Sequence, residues 1–307
     1  MDRPPYITDA DIRALRLTPA EVRAALEAAF LARARGEVDM PTKMGVHSNA
    51  GSLQHAMPVV YGDLAAVKWV SIGSRPAPPP APYIHAELIL SDAADGRTIA
   101  IMQAGWITAI RTAAVSAIAA TRLAPPGLDT LTILGAGLQA RVHVAALRGV
   151  FPLRRLRVAS RRAASVAALA EAPEAEGLAV EAIGPEALFR DTRLLLTAIS
   201  GKAPPGSGLD AHAIAGEILV LAVDLGFSWD SARFDAFDVI VTDDRTHTAG
   251  VTASGLIRPL PRLDADLADI CAGRVPPPGA RTLVLAPGVA LADIALARLV
   301  VERLGLL

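Results

Sequence analysis

Residues 131–140 read Leu-Thr-Ile-Leu-Gly-Ala-Gly-Leu-Gln-Ala. A short apolar run enters Gly135-Ala136-Gly137, and a helical pattern starts at once with Leu138 and Gln139. In this strand–turn–helix setting two glycines cradle a pyrophosphate. Gly135 allows the tight turn, Gly137 lets backbone N–H groups approach the phosphates at the helix N-terminus, and Ala140 fills the third position. The competing reading is a tight βα turn with no ligand. About 20 positions further on, NAD-binding proteins of this type carry an acidic residue for the ribose 2′-hydroxyl. Here the chain reads Ser160-Arg161-Arg162. A hydroxyl and two guanidinium groups suit a 2′-phosphate, to which arginine gives paired charge-assisted hydrogen bonds. The expected cofactor is therefore NADP(H) rather than NAD(H). The alternative is a solvated first helical turn, although two arginines there oppose the helix dipole.

Three more cations stand in chemically suggestive places. Lys68 interrupts the apolar strand Ala65-Ala66-Val67-Lys68-Trp69-Val70, so it either faces water or enters a lined pocket. Arg111 is read as opening a long helix, where an arginine in the first turn adds a bidentate clamp to the anion preference of the helix end. Lys43 follows Met40-Pro41-Thr42. Each alone is an ordinary surface charge. Together, beside a dinucleotide turn, they suit a small carboxylate.

The elements that must position these groups follow from pattern. Thr18-Pro19-Ala20-Glu21 is a capped helix start, with an apolar stripe at Val22, Leu26, Ala29 and Phe30 and a stop at Gly36. Strands are expected over 57–61, 64–72 and 83–90, and a turn at Asp95-Gly96 leads into another over 98–102. A helix from about Thr108 to Leu123 precedes βαβ alternation. Its strands are 131–134, 156–159, 194–198, 218–223 and 239–241, its helices 139–148 and 162–171. A last helix covers 291–304. The fold expected is α/β: a Rossmann dinucleotide-binding domain plus a mixed α+β domain. The run Arg75-Pro76-Ala77-Pro78-Pro79-Pro80-Ala81-Pro82 is a stiff surface loop or, alternatively, a polyproline ligand.

Composition narrows the classes. With 307 residues, 4% aromatics and a net charge of −1, the chain has room for two domains and no excess charge for nucleic acid or anionic membrane. Cys271 is the single cysteine, which fits a reducing, cytoplasmic setting without a disulfide. No apolar run approaches the roughly 18–20 residues of a membrane span. The histidines at 47, 55, 85, 143, 212 and 247 form no metal-ligand spacing. Asp243-Asp244 reads as a charged turn after a strand rather than a cation site. No serine sits in a GxSxG elbow; Gly206-Ser207-Gly208 lacks the spacing.

His55-Ala56-Met57-Pro58, the Lys68 strand, Arg111-Thr112-Ala113-Ala114, the glycine turn, Asp224, and Gly288-Val289-Ala290 with Asp293 stand in an order that resembles the ornithine cyclodeaminase/μ-crystallin family over nearly the whole length. The resemblance implies a substrate-binding and dimerisation domain over 1–112, joined by 288–307, and a Rossmann domain over 113–287. It implies a homodimer and a small amino or imino acid as substrate. Lys68 and Arg111, joined by Lys43, would hold the substrate carboxylate near the nicotinamide. Asp224, following the strand at 218–223, would be an acid/base, or else a plain loop carboxylate, since Asp224-Leu225-Gly226 departs from the family pattern. Thr197 would lie beside the cofactor. Cyclodeaminases carry glutamate where this chain has His55, which makes ornithine a poor candidate substrate. His55 would exchange a proton or simply be a hydrogen-bonded histidine at a strand end.

The chemistry so implied is hydride transfer at the α-carbon of an amino or imino acid, with Lys68, Asp224 or His55 as proton donor. The leading expectation is an NAD(P)H-dependent ketimine reductase or amino-acid dehydrogenase. The alternatives are a cyclodeaminase that recycles NAD, and a μ-crystallin-like NADP-dependent ligand carrier.

Overall fold

A two-residue turn at Gly62-Asp63, with Gly62 at φ +62°, pairs Tyr61 with Leu64 and fixes the register of two nine-residue strands. Most of what positions the candidate site depends on that register. The computed structural model describes residues 3–73, 84–199, 207–277 and 279–307. The proline run at 75–82 and Gly206 lie outside these residues. The chain divides into two compact units, residues 1–111 with 288–307, and residues 112–287.

The first unit begins with β1 (Tyr6–Ile7), α1 (Asp9–Ala14), α2 (Pro19–Ala34), β2 (Val38–Asp39), β3 (Met44–His47), β4 (Leu53–Tyr61), β5 (Leu64–Ile72), β6 (Ile84–Asp92) and β7 (Thr98–Gln103). The boundary between units falls inside α3 (Gly105–Leu123), after Arg111. The second unit carries β8 (Thr130–Leu134), α4 (Leu138–Arg148), β9 (Arg155–Ala159), α5 (Ala163–Ala170), β10 (Ala179–Ala182), β11 (Leu194–Thr197) and β12 (Ile218–Ala222). It continues with β13 (Val239–Thr242), α6 (Arg245–Ala253), β14 (Ala265–Asp266), α7 (Leu267–Cys271) and β15 (Arg281–Leu285). The final helix, α8 (Ala290–Arg303), belongs to the first unit.

In the first unit the strands run β1-β7-β6-β5-β4-β2, with β3 also on β4. All neighbours are antiparallel except β1 with β7. Alternation puts Met57, Lys68, Leu88 and Met102 in one cross-strand row, and all four are buried. Helix α8 packs on β4, β5 and α2 and covers this face. On the opposite face Val60, Trp69 and Ile89 are exposed, as are Met44 and Val46 of β3. Ala86, Leu88 and Leu90 of β6 are buried, while Ile84 at the strand start is exposed.

The second unit is an all-parallel sheet in the order β10-β9-β8-β11-β12-β15-β13-β14 among the described residues. Its central strands are continuous apolar runs, as strands covered on both faces must be, and Leu194, Leu195 and Leu196 are fully buried. Chain order reverses between β8 and β11, the switch point at which open α/β sheets bind ligands.

Several expectations are corrected. The long helix starts at Gly105, not Thr108, because Asp9 supplies its cap: the Trp106 N–H donates to Asp9 Oδ1 at 2.9 Å. Arg111 therefore stands in the second turn, away from the helix end. His55 lies inside β4 rather than at a strand end. Arg162 is the extended N-cap of α5 rather than a helical residue, and β12 ends at Ala222, before Val223. Asp243 and Asp244 form the turn that follows β13, and both are buried. Asp243 Oδ1 accepts from the Asp244 N–H at 3.0 Å, and Asp244 Oδ1 caps α6 through the His247 N–H at 2.7 Å.

Candidate functional site

In the second unit the glycine turn has the geometry of a phosphate cradle. Gly135 adopts φ +104°, and a Cβ there would lie 2.5 Å from the Ala198 carbonyl oxygen. Gly137 is the N-cap of α4 and has no side-chain cap, so the first N–H groups of the helix remain available to an anion. A Cβ on Gly137 would meet nothing within 4 Å, which leaves open space above those groups. Leu138 is exposed, Gln139 half-buried, and Ala140 fully buried, where its small size lets α4 approach the sheet. The turn thus fits a dinucleotide pyrophosphate. Ser160 is half-buried after β9, and Arg161 and Arg162 are exposed. Ser160 Oγ accepts from the Arg162 N–H at 3.4 Å. Among the described residues no carboxylate pairs with either guanidinium.

The turn is braced from below. His143 is fully buried, its Nδ1 2.7 Å from the Gln139 carbonyl and its Nε2 3.0 Å from Ser116 Oγ. A carbonyl only accepts, so Nδ1 carries the proton and Nε2 accepts from the serine. Burial holds this imidazole down at about 4, neutral through the physiological range.

Asp224 lies beyond β12 in the same unit. Leu225 at φ +59° and Gly226 at φ +71° turn the chain back so that the carboxylate is buried. Thr197 Oγ1 donates to Asp224 Oδ1 at 3.1 Å and accepts from the Trp229 indole N–H at 3.3 Å. Trp229 is itself fixed by Phe189 and Phe237, with ring centroids 5.9 and 5.5 Å away. Burial pushes the Asp224 carboxyl up to about 6, with hydrogen bonds from Ser228 and Thr197 acting in the opposite direction. Thr197, expected to lie beside the cofactor, serves this carboxylate in the structure. Its side chain is fully buried, and its hydroxyl is committed to Asp224 and Trp229.

In the first unit the central feature is a buried ionic cluster. Lys68 Nζ lies 2.7 Å from Asp293 Oδ2, and both side chains are 1% exposed. Arg111 Nε lies 3.3 Å from the other oxygen, Oδ1. Lys68 also donates to Thr108 Oγ1 at 3.3 Å. Burial lowers the Lys68 ammonium to about 8; Asp293 raises it and Arg111 lowers it. The lysine thus enters a lined pocket instead of facing water. His55 is buried on the neighbouring strand, opposite Gly45, whose missing side chain makes room: a Cβ there would be 3.2 Å from His55 Cδ2. Burial first, then the charges of Lys43, His47 and Lys68, press His55 down to about 4. Lys43 is half-buried just before β3.

Sequence reasoning named Lys68 and Arg111 but gave their shared counter-ion, Asp293, no role. The only signal was its acidic character in the first turn of an otherwise apolar helix. His143 was passed over because it has no partner close in sequence except Gln139.

The sequence profile of the ornithine cyclodeaminase/mu-crystallin family matches residues 7–204. The chain belongs to this family. Within reach of the family, the nodulation efficiency protein NfeD of Rhizobium meliloti is 26% identical over 98% of this chain and 96% of that protein. Delta(1)-pyrroline-2-carboxylate reductase 2 of Burkholderia ambifaria is 28% identical over 81% of each. A solved structure of Thermococcus litoralis Delta(1)-pyrroline-2-carboxylate reductase, in complex with NADH and L-proline, superposes with a TM-score of 0.85 at 23% identity, covering 97% of each chain. At that identity the superposition establishes the family fold alone. No cluster of three or more ligating side chains is present among the described residues. Nor, among them, is any helix long and apolar enough to cross a membrane.

Proposed function

We propose that this family member is a nicotinamide-dependent oxidoreductase acting at the α-carbon of an imino or amino acid. Its preferred reaction is reduction of a cyclic ketimine carboxylate such as pyrroline-2-carboxylate or piperideine-2-carboxylate. The observation that carries this reading is the buried Lys68–Asp293–Arg111 cluster. Two cations and one anion leave one positive charge in excess in the protein interior. Such an excess is costly unless an anion joins it, and a single ligand carboxylate restores neutrality. His55, neutral at physiological pH, offers no charge to a distal ammonium or carboxylate. The cluster therefore matches a substrate with one carboxylate and an uncharged side chain, which argues against a diamino acid. The named activity of the Burkholderia relative agrees with such a substrate.

Gly135, Gly137, Leu138 and Gln139 would hold the pyrophosphate, and Ser160, Arg161 and Arg162 the adenosine ribose. A nicotinamide held there supplies a hydride donor. The protein's own part is to orient and to manage protons. Arg111, with Lys43 as a solvated auxiliary, binds the carboxylate and fixes the plane of the C=N bond. Lys68 keeps a proton on the imine nitrogen, which makes the adjacent carbon electrophilic. Asp224 stands as the reserve acid in the second unit, poised near neutrality.

The Thermococcus protein was described with NADH. For this chain the paired arginines after β9, with no acidic residue among Ser160-Arg161-Arg162, support NADP(H). The exposed apolar outer face of the first sheet, with Met44, Val46, Val60, Trp69 and Ile89, supports a homodimer through that face.

The test is a spectrophotometric screen of NADPH and NADH against cyclic imino acids, α-keto acids with amines, and diamino acids. Oxidation of NADPH by a cyclic imino acid is the expected result. Ammonia release from a diamino acid without net cofactor turnover would replace this reading with a cyclodeaminase. Tight NADPH binding without any turnover would make the protein a carrier. Arg161→Asp is expected to lower the NADPH/NADH preference by about tenfold or more, the scale of a lost charge-assisted phosphate contact; an unchanged ratio removes the NADP assignment.

A further inference from the structure

We infer that Asp293 is a positioning residue that divides the labour of the two buried cations, holding Lys68 as the proton carrier for the substrate nitrogen and turning the outer edge of Arg111 toward the substrate carboxylate. The inference rests on the reading of the first unit as an α-imino acid site and assigns a separate task to each group.

The argument begins with which atoms are engaged. Asp293 uses one oxygen for each partner: Oδ2 for Lys68 Nζ at 2.7 Å and Oδ1 for Arg111 Nε at 3.3 Å. An ion pair on the Nε side leaves the Nη1/Nη2 edge of the guanidinium, which can receive a carboxylate in bidentate fashion. Gly288 shows where that edge points. A Cβ built on Gly288 would lie 3.0 Å from both Nη1 and Nη2 and 3.4 Å from Cζ. Those three distances place the point in the guanidinium plane, just beyond its outer edge. A position above the ring of nitrogens would be nearer to Cζ. The space beside the fork is therefore kept clear by the absence of a side chain at Gly288, whose φ of +91° also disfavours one.

Lys68 is held differently. Its ammonium is ion-paired with Asp293 and donates to Thr108. The charged groups that act on it are Asp293 on α8 and Arg111 on α3, and its own charge reaches His55 on β4. Of these only Asp293 is negative, so it is the group that keeps a proton on Lys68 against burial and the neighbouring guanidinium. A lysine so paired is a poor second clamp for a carboxylate, because its charge is already matched by an anion 2.7 Å away. It is a suitable acid near neutrality. In the step assigned to it, an Nζ–H bond breaks as an N–H bond forms on the imine nitrogen, giving the iminium. Lys68 then regains a proton from water.

The test is Asp293→Asn in the full-length protein, read with pyrroline-2-carboxylate for turnover and cyclopentanecarboxylate, which lacks the nitrogen, for binding by calorimetry. Loss of the anion should free Lys68 to join the carboxylate, so affinity for cyclopentanecarboxylate is expected to hold or tighten. At the same time kcat should fall by about 100-fold or more, the usual worth of a positioned acid, and the basic limb of the kcat/KM profile should move to lower pH. A merely structural role would weaken binding and turnover together and leave the pH limb in place, and that result overturns the inference. If Asp293→Asn does not fold, Lys68→Met, which leaves the Asp293–Arg111 pair, carries the test. Cyclopentanecarboxylate affinity within about threefold of wild type with kcat lost supports the division of labour. A parallel loss of affinity overturns it. If the wild-type protein reduces no imino acid, the proposed function fails, while the binding measurements still decide whether Asp293 keeps Lys68 off the carboxylate.

Discussion

Thr197 donates its hydroxyl hydrogen to Asp224 Oδ1 at 3.1 Å, from the last residue of one buried strand to the loop beyond its parallel neighbour. The indole N–H of Trp229 in turn donates to Thr197, so the carboxylate sits at the end of a short, directed chain of hydrogen bonds inside an aromatic cluster. A carboxylate in such surroundings is a stored cost to the fold.

That cost has a sign. Asp224 is raised from 3.8 to about 6. The folded state therefore holds the proton more tightly than the unfolded chain. The favourable contribution is present below pH 4 and is lost as pH rises through about 6. Asp224→Asn removes the charge at every pH. It is expected to stabilise the protein at pH 8 by on the order of 2–3 kcal/mol, and to change little at pH 4. Melting temperatures of the two proteins across that range check it. A variant that is less stable at pH 8 would show that Asp224 stabilises the loop instead.

The two glycines of the dinucleotide turn should separate folding from binding. Gly135→Ala places a Cβ 2.5 Å from the Ala198 oxygen at a left-handed φ, and a loss of about 2–4 kcal/mol is expected from strain and steric conflict. Gly137→Ala has ordinary backbone angles and open space, so denaturant midpoints should match wild type within about 0.5 kcal/mol. Its methyl projects into the space assigned to the pyrophosphate, and dinucleotide affinity should fall at least about tenfold, or roughly 1.4 kcal/mol. Chemical denaturation and fluorescence titration with NADPH read the two effects independently.

Gly288→Ala makes a comparable test in the first unit. Its Cβ would occupy the outer edge of the Arg111 fork. KM for the imino acid is expected to rise by about tenfold or more, as a bidentate contact to a carboxylate is lost, with kcat less affected. An unchanged KM would mean that the carboxylate binds elsewhere.

Acid sensitivity should trace to His143 and His55. Both are lowered from 6.5 to about 4. Between those values the unfolded chain takes up protons that the folded state refuses, so stability falls with falling pH at about 1.4 kcal/mol per unit for each group. Asp224 works in the opposite direction over an overlapping range, so the effect is read as a difference between proteins. His143→Gln is expected to lose less stability than wild type between pH 6.5 and 4.5 in urea titrations. Equal losses would remove His143 as a cause.

Much of this arrangement was legible in the sequence where the determining residues are neighbours. Thr18 and Glu21 form the capping box read for α2, and the glycine turn follows its strand as the pattern required. Non-local partners were not legible. Asp9 caps α3 from far upstream, which moved the helix start and took Arg111 out of the first turn. The edge strand Ala179–Ala182 has a mostly exposed, unpatterned face, so periodicity gave no signal. Asp243 and Asp244 read as a charged turn after a strand, but their burial was not legible, because it depends on each carboxylate satisfying nearby backbone N–H groups. Lys68 was recognised as anomalous in an apolar strand, but its identity as half of an ion pair depends on a helix at the other end of the chain.

That last dependence has a bearing on how the protein is made. The first unit is assembled from two separated stretches of the polypeptide, and α8 brings Asp293 long after Lys68 and Arg111 have been synthesised. Until then Lys68 and Arg111 lack their shared counter-ion, and the sheet face beneath α8 stays bare. A nascent chain halted before residue 288 on the ribosome thus carries two cations without their shared counter-ion beside an open apolar surface.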